Sequence, residues 1–302
     1  MASSSATTWT LAGREVRVTS LDRPYWPEDG VSKGDLLAYY QEMTPILLPY
    51  FAERPVTPVV FPRGIDGPKY YRRERPDTAP DWVRSAEYQT ATDKHLIQVL
   101  LIDDGAGLIW LANTGAIELH LWGARLPDLA EPDMVVFDLD PGEAATFEDV
   151  LQAAGILHER LDRFGLRGYP KTSGGDGLHV FLPLAPGHTF EQVRDWVREL
   201  AEELEGEHPK LIAVSHGSTH RGMHVTIDHA QNSVGRNTAA PYTVRARPGA
   251  PVSTPLTWKE VEDGKVRPGD LTIKTVPRRV KKLGDLCAPV LAGGQNLPAG
   301  ES

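Results

Sequence analysis

The sequence has almost no cysteine. A single residue, Cys287, stands among 302, so no disulfide forms within the chain and no multi-cysteine zinc site can be built. Long apolar runs are missing as well. No stretch reaches the roughly 18 uncharged apolar residues of a membrane span. Residues 1–8 are rich in Ala, Ser and Thr, without a basic start or an apolar core. They read as a loose tail rather than a signal peptide, and the expected location is cytoplasmic, with no membrane partner. Positive charge is also short: 32 Lys and Arg face 41 Asp and Glu, a formal net of −9. That excludes a wholly basic nucleic-acid coat. With 40% hydrophobic and 24% charged residues, the composition excludes a disordered or fibrous chain. The length suits two modules or one large domain.

The charge is unevenly spread. Residues 54–75 hold six basic side chains (Arg54, Arg63, Lys69, Arg72, Arg73, Arg75) and two acidic ones, Asp66 and Glu74. Residues 271–282 hold five basic side chains and none acidic. Between 102 and 150 eleven acidic residues face one basic residue, Arg125. An acidic centre with basic flanks suits a protein that gathers cations in one place and phosphates beside it. Solvated faces of opposite sign would give the same pattern.

Periodicity predicts a helix over 32–51, opened by a Ser32/Asp35 capping box and kinked at Pro45. Residues 96–102 read as a strand. Residues 107–122 are apolar and ambiguous, with alternation from 116 that puts Glu118, His120 and Trp122 on one face. Further on, strands are expected at 134–140, 168–172, 177–184 and 223–228. Helices are expected at 146–164 and 189–204, each with a capping box or cap at its start. The order β-α-β-β-α-β is the split βαβ arrangement of ferredoxin-like and RNA-recognition folds. Residues 287–302 read as a frayed tail.

The sharpest local feature is Phe137-Asp138-Leu139-Asp140-Pro141. On a strand, residues two apart share a face, so Asp138 and Asp140 present two carboxylates side by side. Their repulsion is relieved by a divalent cation, and hard oxygen ligands suit Mg²⁺ or Mn²⁺. Asp228 closes the last strand. In a split βαβ sheet the fourth strand lies on an edge beside the first, which brings this third carboxylate near the pair. Three carboxylates suffice for two metals and in-line phosphoryl transfer. The turn Lys171-Thr172-Ser173-Gly174-Gly175-Asp176-Gly177-Leu178-His179 lets backbone N–H groups approach phosphate oxygens, with Ser173 and His179 as further donors. It is not a P-loop, because it joins two strands and lacks the G-K-[ST] ending. Arg245 and Arg247 share a face if 240–247 is extended, and would clamp a polyphosphate. The series His216, His220, His224, His229 is broken by Gly217 and Gly222 and does not read as a zinc site.

Taken together, these stretches resemble the polymerase domain of bacterial DNA ligase D, within the archaeo-eukaryotic primase superfamily. The resemblance runs from about residue 19 to 286. It includes Tyr25-Trp26-Pro27-Glu28-Asp29-Gly30, Val31 through Asp35, Gly64-Ile65-Asp66-Gly67, Ile117-Glu118-Leu119-His120, the Asp138/Asp140 strand, the Gly-rich turn and Asp228 with Ala240-Pro241-Tyr242. It implies an α+β primase-polymerase fold with mixed sheets. A split βαβ, RRM-like catalytic module (131–286) would pack on an N-terminal α/β module (10–130), forming one domain over 10–286 with flexible tails at 1–9 and 287–302. It implies a template-directed nucleotidyltransferase that adds rNTPs or dNTPs to 3′-hydroxyl ends, filling gaps during non-homologous end joining. Asp138, Asp140 and Asp228 match the catalytic, metal-binding carboxylates, with two Mn²⁺ or Mg²⁺ ions as cofactors. His120, Ser173, His179, Arg221, Gln231 and Arg245 match nucleotide-binding positions. Arg23 and Lys33 match a pocket for the 5′-phosphate of a downstream strand, and Tyr70-Tyr71 falls where the family has paired aromatics near the DNA end. Aromatics among Lys69, Arg72 and Arg73 suit base stacking beside phosphate contacts. The implied partners are gapped or broken DNA, NTPs or dNTPs, and possible association with Ku and a DNA ligase at the nucleoid. The ligase motif K-x-D-G and a nuclease region are absent, as in a stand-alone or excised module.

Two positions depart from the family. Asp176 stands where it usually has Lys, and Val59-Val60 where a basic residue is common. Both remove positive charge expected near a triphosphate. They favour an alternative reading, a DNA-end-binding and synapsis module with weak or vestigial catalysis.

Overall fold

A computed structural model describes residues 6–90, 94–214 and 222–298. The chain divides into two compact units. The first comprises Met1–Trp122, Ala239–Ser253 and Leu271–Gly284; the second comprises Gly123–Thr238, Thr254–Asp270 and Asp285–Ser302. The N-terminal part of the chain is thus completed by two segments that return from far along the sequence.

In the first unit, β1 (Ala6–Leu11) and β2 (Arg14–Thr19) form an antiparallel hairpin. A short pair, β3 (Pro24–Trp26) and β4 (Val31–Ser32), leads into α1 (Lys33–Phe51). The Ser32/Asp35 capping box is present: Asp35 N–H donates to Ser32 Oγ at 3.1 Å and Ser32 N–H to Asp35 Oδ2 at 2.8 Å. The helix continues past Pro45 to Phe51. Next come β5 (Val56–Val60), β6 (Tyr70–Tyr71), β7 (Ser85–Gln89), β8 (Leu96–Leu100), α2 (Gly105–Asn113) and β9 (Ala116–Trp122). The ambiguous run 107–122 is therefore helix then strand. At the joint Gly115 has φ +97°, and a Cβ there would meet Phe61 O at 3.0 Å, so the reversal requires glycine. The sheet runs β9-β5-β8-β7, with β6 on β5, and every one of these pairings is antiparallel. The returning segments close the core. Tyr39 donates to Tyr242 O at 2.8 Å, Tyr40 to Ile117 O at 2.6 Å, and Leu119 N–H to Thr243 Oγ1 at 2.8 Å. Buried hydroxyls are held this way because an unmade hydrogen bond in the interior costs about 1–3 kcal/mol.

The second unit opens with a hairpin, β10 (Ala124–Arg125) and β11 (Asp128–Pro132). Its main elements are β12 (Met134–Pro141), α3 (Phe147–Arg163), β13 (Tyr169–Thr172), β14 (Leu178–Pro183), α4 (Phe190–Glu207), β15 (Ile212–Val214), β16 (Val225–Ile227) and α5 (Trp258–Asp263). Capping boxes at Thr146/Asp149 and Thr189/Gln192 start the two long helices. Their apolar stripes, Val150, Leu151, Ala154, Leu157 and Leu161 on one and Phe190, Val193, Val197, Leu200 and Leu204 on the other, are buried as the 3.6-residue period requires. Arg160 on α3 reaches Glu203 at 2.6 Å and Glu207 at 2.7 Å on α4. The sheet order is β13-β14-β12-β16-β15. This is the expected split βαβ core with one correction. The strand that leads to Asp228 is not at the edge: β15 lies outside it, pairing in parallel. Three residues are too short a run for alternation to reveal a strand.

The segment read as a frayed C-terminal tail is held over its described part. Cys287 is fully buried. The Gln295 side chain accepts from Arg167 N–H at 2.7 Å and donates to Arg167 O at 3.0 Å. Likewise residues 6–9 belong to β1. Backbone and amide pairing of this kind leaves no hydrophobic pattern to read in sequence. No helix among the described residues is long and apolar enough to cross a membrane.

Candidate functional site

The candidate residues fall in two groups, one in each unit. In the second unit the organising strand is β12. Leu139 is fully buried, and the ring of Phe137 meets Trp196 of α4 edge-on at 5.8 Å. The alternation therefore turns Asp138 and Asp140 to the face opposite that helix. Cross-strand partners share a face, and the register adds to this one: Asp138 opposes His179 on β14, and Asp140 opposes Thr226 on β16. Asp228, two residues beyond Thr226, is still extended (φ −89°, ψ 95°). Its N–H donates to Asp138 O at 3.1 Å. The three carboxylates thus stem from neighbouring strands on one face, as the sequence predicts.

Their side chains are engaged within the protein. His179 Nε2 lies 3.3 Å from Asp138 Oδ1. Asp228 Oδ1 accepts from Ala230 N–H at 3.0 Å, capping the 3-10 turn His229–Asn232. Among the described residues no three His, Cys, Asp or Glu side chains are already gathered at metal-holding geometry. The donor set nevertheless suits the chemistry of hard divalent cations: three carboxylates that stem from neighbouring strands on one face.

The Gly-rich turn is tightly tied. Ser173 Oγ accepts from Gly175 N–H at 3.1 Å and Gly177 N–H at 3.2 Å, and Ser173 N–H donates to Gly177 O at 3.0 Å. This corrects the expectation that these N–H groups point outward for phosphate: two of them serve the turn's own serine, as local hydroxyl–backbone bonds commonly do. A Cβ on Gly177 would stand 2.5 Å from Leu139 O and 3.1 Å from Asp140 Oδ1. Glycine is what lets the turn lie against the carboxylate strand. Asp176 is exposed at its tip.

Two neighbours of His179 were not foreseen. Lys171, wholly buried on β13, places Nζ 2.9 Å from His179 Nδ1, and Thr238 Oγ1 lies 3.3 Å from the same nitrogen. A lysine inside a buried strand was the available signal, because such a charge is rarely left without a partner. Gln231 donates its amide to Asn237 O at 2.7 Å. Asn232 clamps the backbone of Val136, accepting from its N–H and donating to its carbonyl, both at 2.8 Å. Arg221, with His216 and His220, lies outside the described residues.

The first unit holds the second group. On β9, Glu118 and His120 share a face, with His120 Nε2 2.9 Å from Glu118 Oε2. Arg245 Nε stands 3.1 Å from the same oxygen, and Ala246 N–H donates to Oε1 at 3.0 Å. Burial pushes the Glu118 carboxyl up. The His120 hydrogen bond, the Arg245 and His120 charges and the Ala246 N–H outweigh it and hold the group down at about 2. The expected extended pair Arg245/Arg247 is not formed. The segment is a turn with one bridge, Val244 to Val252, and the Arg245 guanidinium is drawn to Glu118. Glu118 was legible, since alternation puts it beside His120 and a buried carboxylate needs partners.

Tyr70 and Tyr71 are 44% and 56% exposed. The Tyr71 ring meets His120 edge-on at 6.2 Å, and Arg72 donates to the Tyr70 hydroxyl at 2.7 Å. Both rings are partly exposed to solvent, and the Arg72 guanidinium lies over the Tyr70 ring, 5.5 Å from its centroid. Arg23 donates to Pro62 O at 2.9 Å and Ser20 Oγ at 3.4 Å. Lys33 is only 4% exposed and donates to Thr19 O and Asn113 Oδ1, both at 2.8 Å. Burial, aided by the Arg23 charge, lowers its pKa to about 8. Lys33 is thus a buried tie as well as a candidate phosphate group.

Residues 32–287 match the family model of the LigD primase-polymerase domain. The chain is 31% identical over 279 residues to the multifunctional non-homologous end joining protein LigD of Mycolicibacterium smegmatis, covering 91% of this chain and 36% of that protein. It is 31% identical over 271 residues to the bifunctional LigD of Bacillus subtilis, covering 89% and 43%. The chain thus spans well under half the length of these relatives. Its fold matches the polymerase domain of Mycobacterium tuberculosis ligase D, solved in complex with DNA, with a TM-score of 0.86 and 30% identity over 93% of this chain and 99% of that one. The protein belongs to the LigD primase-polymerase domain family.

Proposed function

We propose that the protein is a template-directed nucleotidyltransferase that adds rNTPs or dNTPs to a 3′-hydroxyl in gapped or broken DNA during non-homologous end joining. The observation that carries this is the register that stems Asp138, Asp140 and Asp228 from adjacent strands on one face, beside the Gly-rich turn and His179. These carboxylates would hold two divalent ions, Mn²⁺ or Mg²⁺. When bound, such ions lower the pKa of the attacking hydroxyl and neutralise the triphosphate. His179 and Ser173 would then orient phosphate oxygens, and Gly177 keeps the turn close enough to do so. Arg23 and Lys33 raise each other's electrostatic cost, which a 5′-phosphate would relieve. Tyr70 and Tyr71 offer exposed rings for a base at the end. Ku and a DNA ligase would act on the same ends.

The test is primer extension on gapped, 5′-phosphorylated DNA with rNTPs or dNTPs and either metal. Asp138→Ala or Asp140→Ala should cut extension by about a thousandfold or more, the scale of losing a group that stabilises transition-state charge. DNA binding should stay within about twofold of wild type. Extension at the wild-type rate in either variant would overturn the two-metal assignment. The end-binding alternative draws on the exposed carboxylate at Asp176, and predicts end binding without extension.

A further inference from the structure

His179 has a charged group at each ring nitrogen, and only one of the two has been given a role. Lys171 sits directly across from His179 in the β13–β14 ladder. Its backbone is fixed from the other side as well, by the bridge to Pro255 and the neighbouring bond from Thr172 N–H to Thr254 O at 2.9 Å. The ammonium is therefore aimed by a strand held on both edges. It stands 2.9 Å from His179 Nδ1 and 5.0 Å from the centroid of the Phe181 ring.

As an ammonium, Lys171 has three donors and no acceptor, and the form of His179 that complements it presents the Nδ1 lone pair. A neutral imidazole carries one proton, which is then on Nε2. The opposite end of the ring agrees. Nε2 lies 3.3 Å from Asp138 Oδ1, and a carboxylate oxygen would repel a lone pair there. The Thr238 hydroxyl, 3.3 Å from Nδ1, can donate to the same lone pair and is compatible with this form. Packing alone gives no reason for a wholly buried lysine, since an aliphatic side chain would fill the volume without desolvating a charge.

We infer that Lys171 is a positioning residue that holds His179 in the Nε2–H tautomer, with the proton on the ring edge nearest Asp138. Any anionic oxygen brought beside that carboxylate by cations, a phosphate oxygen above all, then meets a donor that is already formed and oriented. The inference rests on the nucleotide-transfer reading for its purpose, but its first measurement does not.

That measurement is the tautomer of His179 in the full chain, read from two-bond ¹⁵N–¹H ring correlations in chelator-treated buffer and assigned from the signals lost in His179→Asn. Wild type should show the proton on Nε2, and a proton on Nδ1 overturns the inference without any variant. In Lys171→Met, checked for folding by its thermal transition, the Nδ1–H population should rise, and an unchanged tautomer again overturns it. Lys171→Gln, whose amide can still donate to Nδ1, should restore the wild-type form. In primer extension Lys171→Met should raise the nucleotide KM about tenfold with kcat within about twofold, and Lys171→Gln should recover most of it. An equal fall in both variants would mark a packing role instead. A wild-type chain that never extends a primer, yet shows the Nε2–H signal, would refute the transfer reading and leave the lysine's hold on the ring standing.

Discussion

The two units each bury a histidine against a strand partner, and they do so by opposite means. In the first unit His120 and Arg245 converge on a single carboxylate, Glu118, which also accepts from Ala246 N–H. Every partner there is a donor, and the anion is the hub. In the second unit His179 lies between a cation, Lys171, and an anion, Asp138. The first arrangement is saturated by its own partners and behaves as a fastening. The second leaves its carboxylate beside two others, so like charges accumulate on one face of a sheet. A network that satisfies itself stabilises, whereas like charges on one face would be relieved by the cations proposed above.

The contrast can be broken most forcefully at the two anions. Glu118→Ala removes the carboxylate that Arg245, His120 and the Ala246 N–H share, and should cost about 3–5 kcal/mol of stability, read by urea unfolding. Asp138→Ala removes a source of repulsion, and should change stability by no more than about 1 kcal/mol while abolishing extension. Equal destabilisation by the two variants would erase the distinction.

The acid limb of stability should belong to the first unit's hub. Glu118 titrates near 4.5 when unfolded and near 2 when folded. Its contribution is full above about pH 4.5 and is lost as pH falls through about 2, at most about 3 kcal/mol at 1.36 kcal/mol per unit. Glu118→Gln should flatten that part of the pH–stability curve.

Lys33 gives a slope of the same sign at high pH, because the cost of burying its charge is relieved there. Its pKa is 10.5 unfolded and about 8 folded, so the unfolded chain binds more protons between those values. Stability should rise as pH increases from about 8 to 10.5. Any preference for a 5′-phosphate over a 5′-hydroxyl end should fall several-fold across the same range, measured by fluorescence anisotropy. Lys33→Met should remove both trends.

The smallest effect is expected at the tip of the Gly-rich turn. Asp176 is exposed, so solvent and salt screen it. Asp176→Lys should lower the nucleotide KM by several-fold, more at low ionic strength, with Asp176→Asn between. No change across the series would mean that this side chain faces away from the nucleotide.

Much of this was legible in sequence where one pattern governs one element. Capping residues at Ser32, Thr146 and Thr189 marked helix starts because they satisfy local backbone donors. Alternation through Phe137, Asp138, Leu139 and Asp140 assigned faces, because a strand that is half buried must alternate. What escaped depends on register or on distant partners. The strand Ile212–Val214 is too short to carry a period. The inward turn of Lys33 depends on Asn113, eighty residues away. The capture of Arg245 by Glu118 joins positions 127 apart, and that of His179 by Lys171 depends on which hairpin register the turn selects. Family resemblance supplied roles for His120 and His179, but not the groups that hold them.

The returning segments of the first unit have a consequence for how the protein is made. Tyr39, Tyr40 and Leu119 emerge early in synthesis, yet their hydrogen-bond partners are Tyr242 and Thr243. Those residues appear only after nearly all of the second unit's strands and helices have been produced. The early part of the chain must wait with polar and apolar core groups uncovered, whereas the β12–β16 sheet can close largely on residues made in succession. Contacts of such long sequence separation form slowly and expose the chain to aggregation meanwhile. A ribosome-stalled chain whose residue 230 has cleared the exit tunnel should therefore protect the second unit's sheet from protease while the first remains cleavable. Release of the full chain should close both.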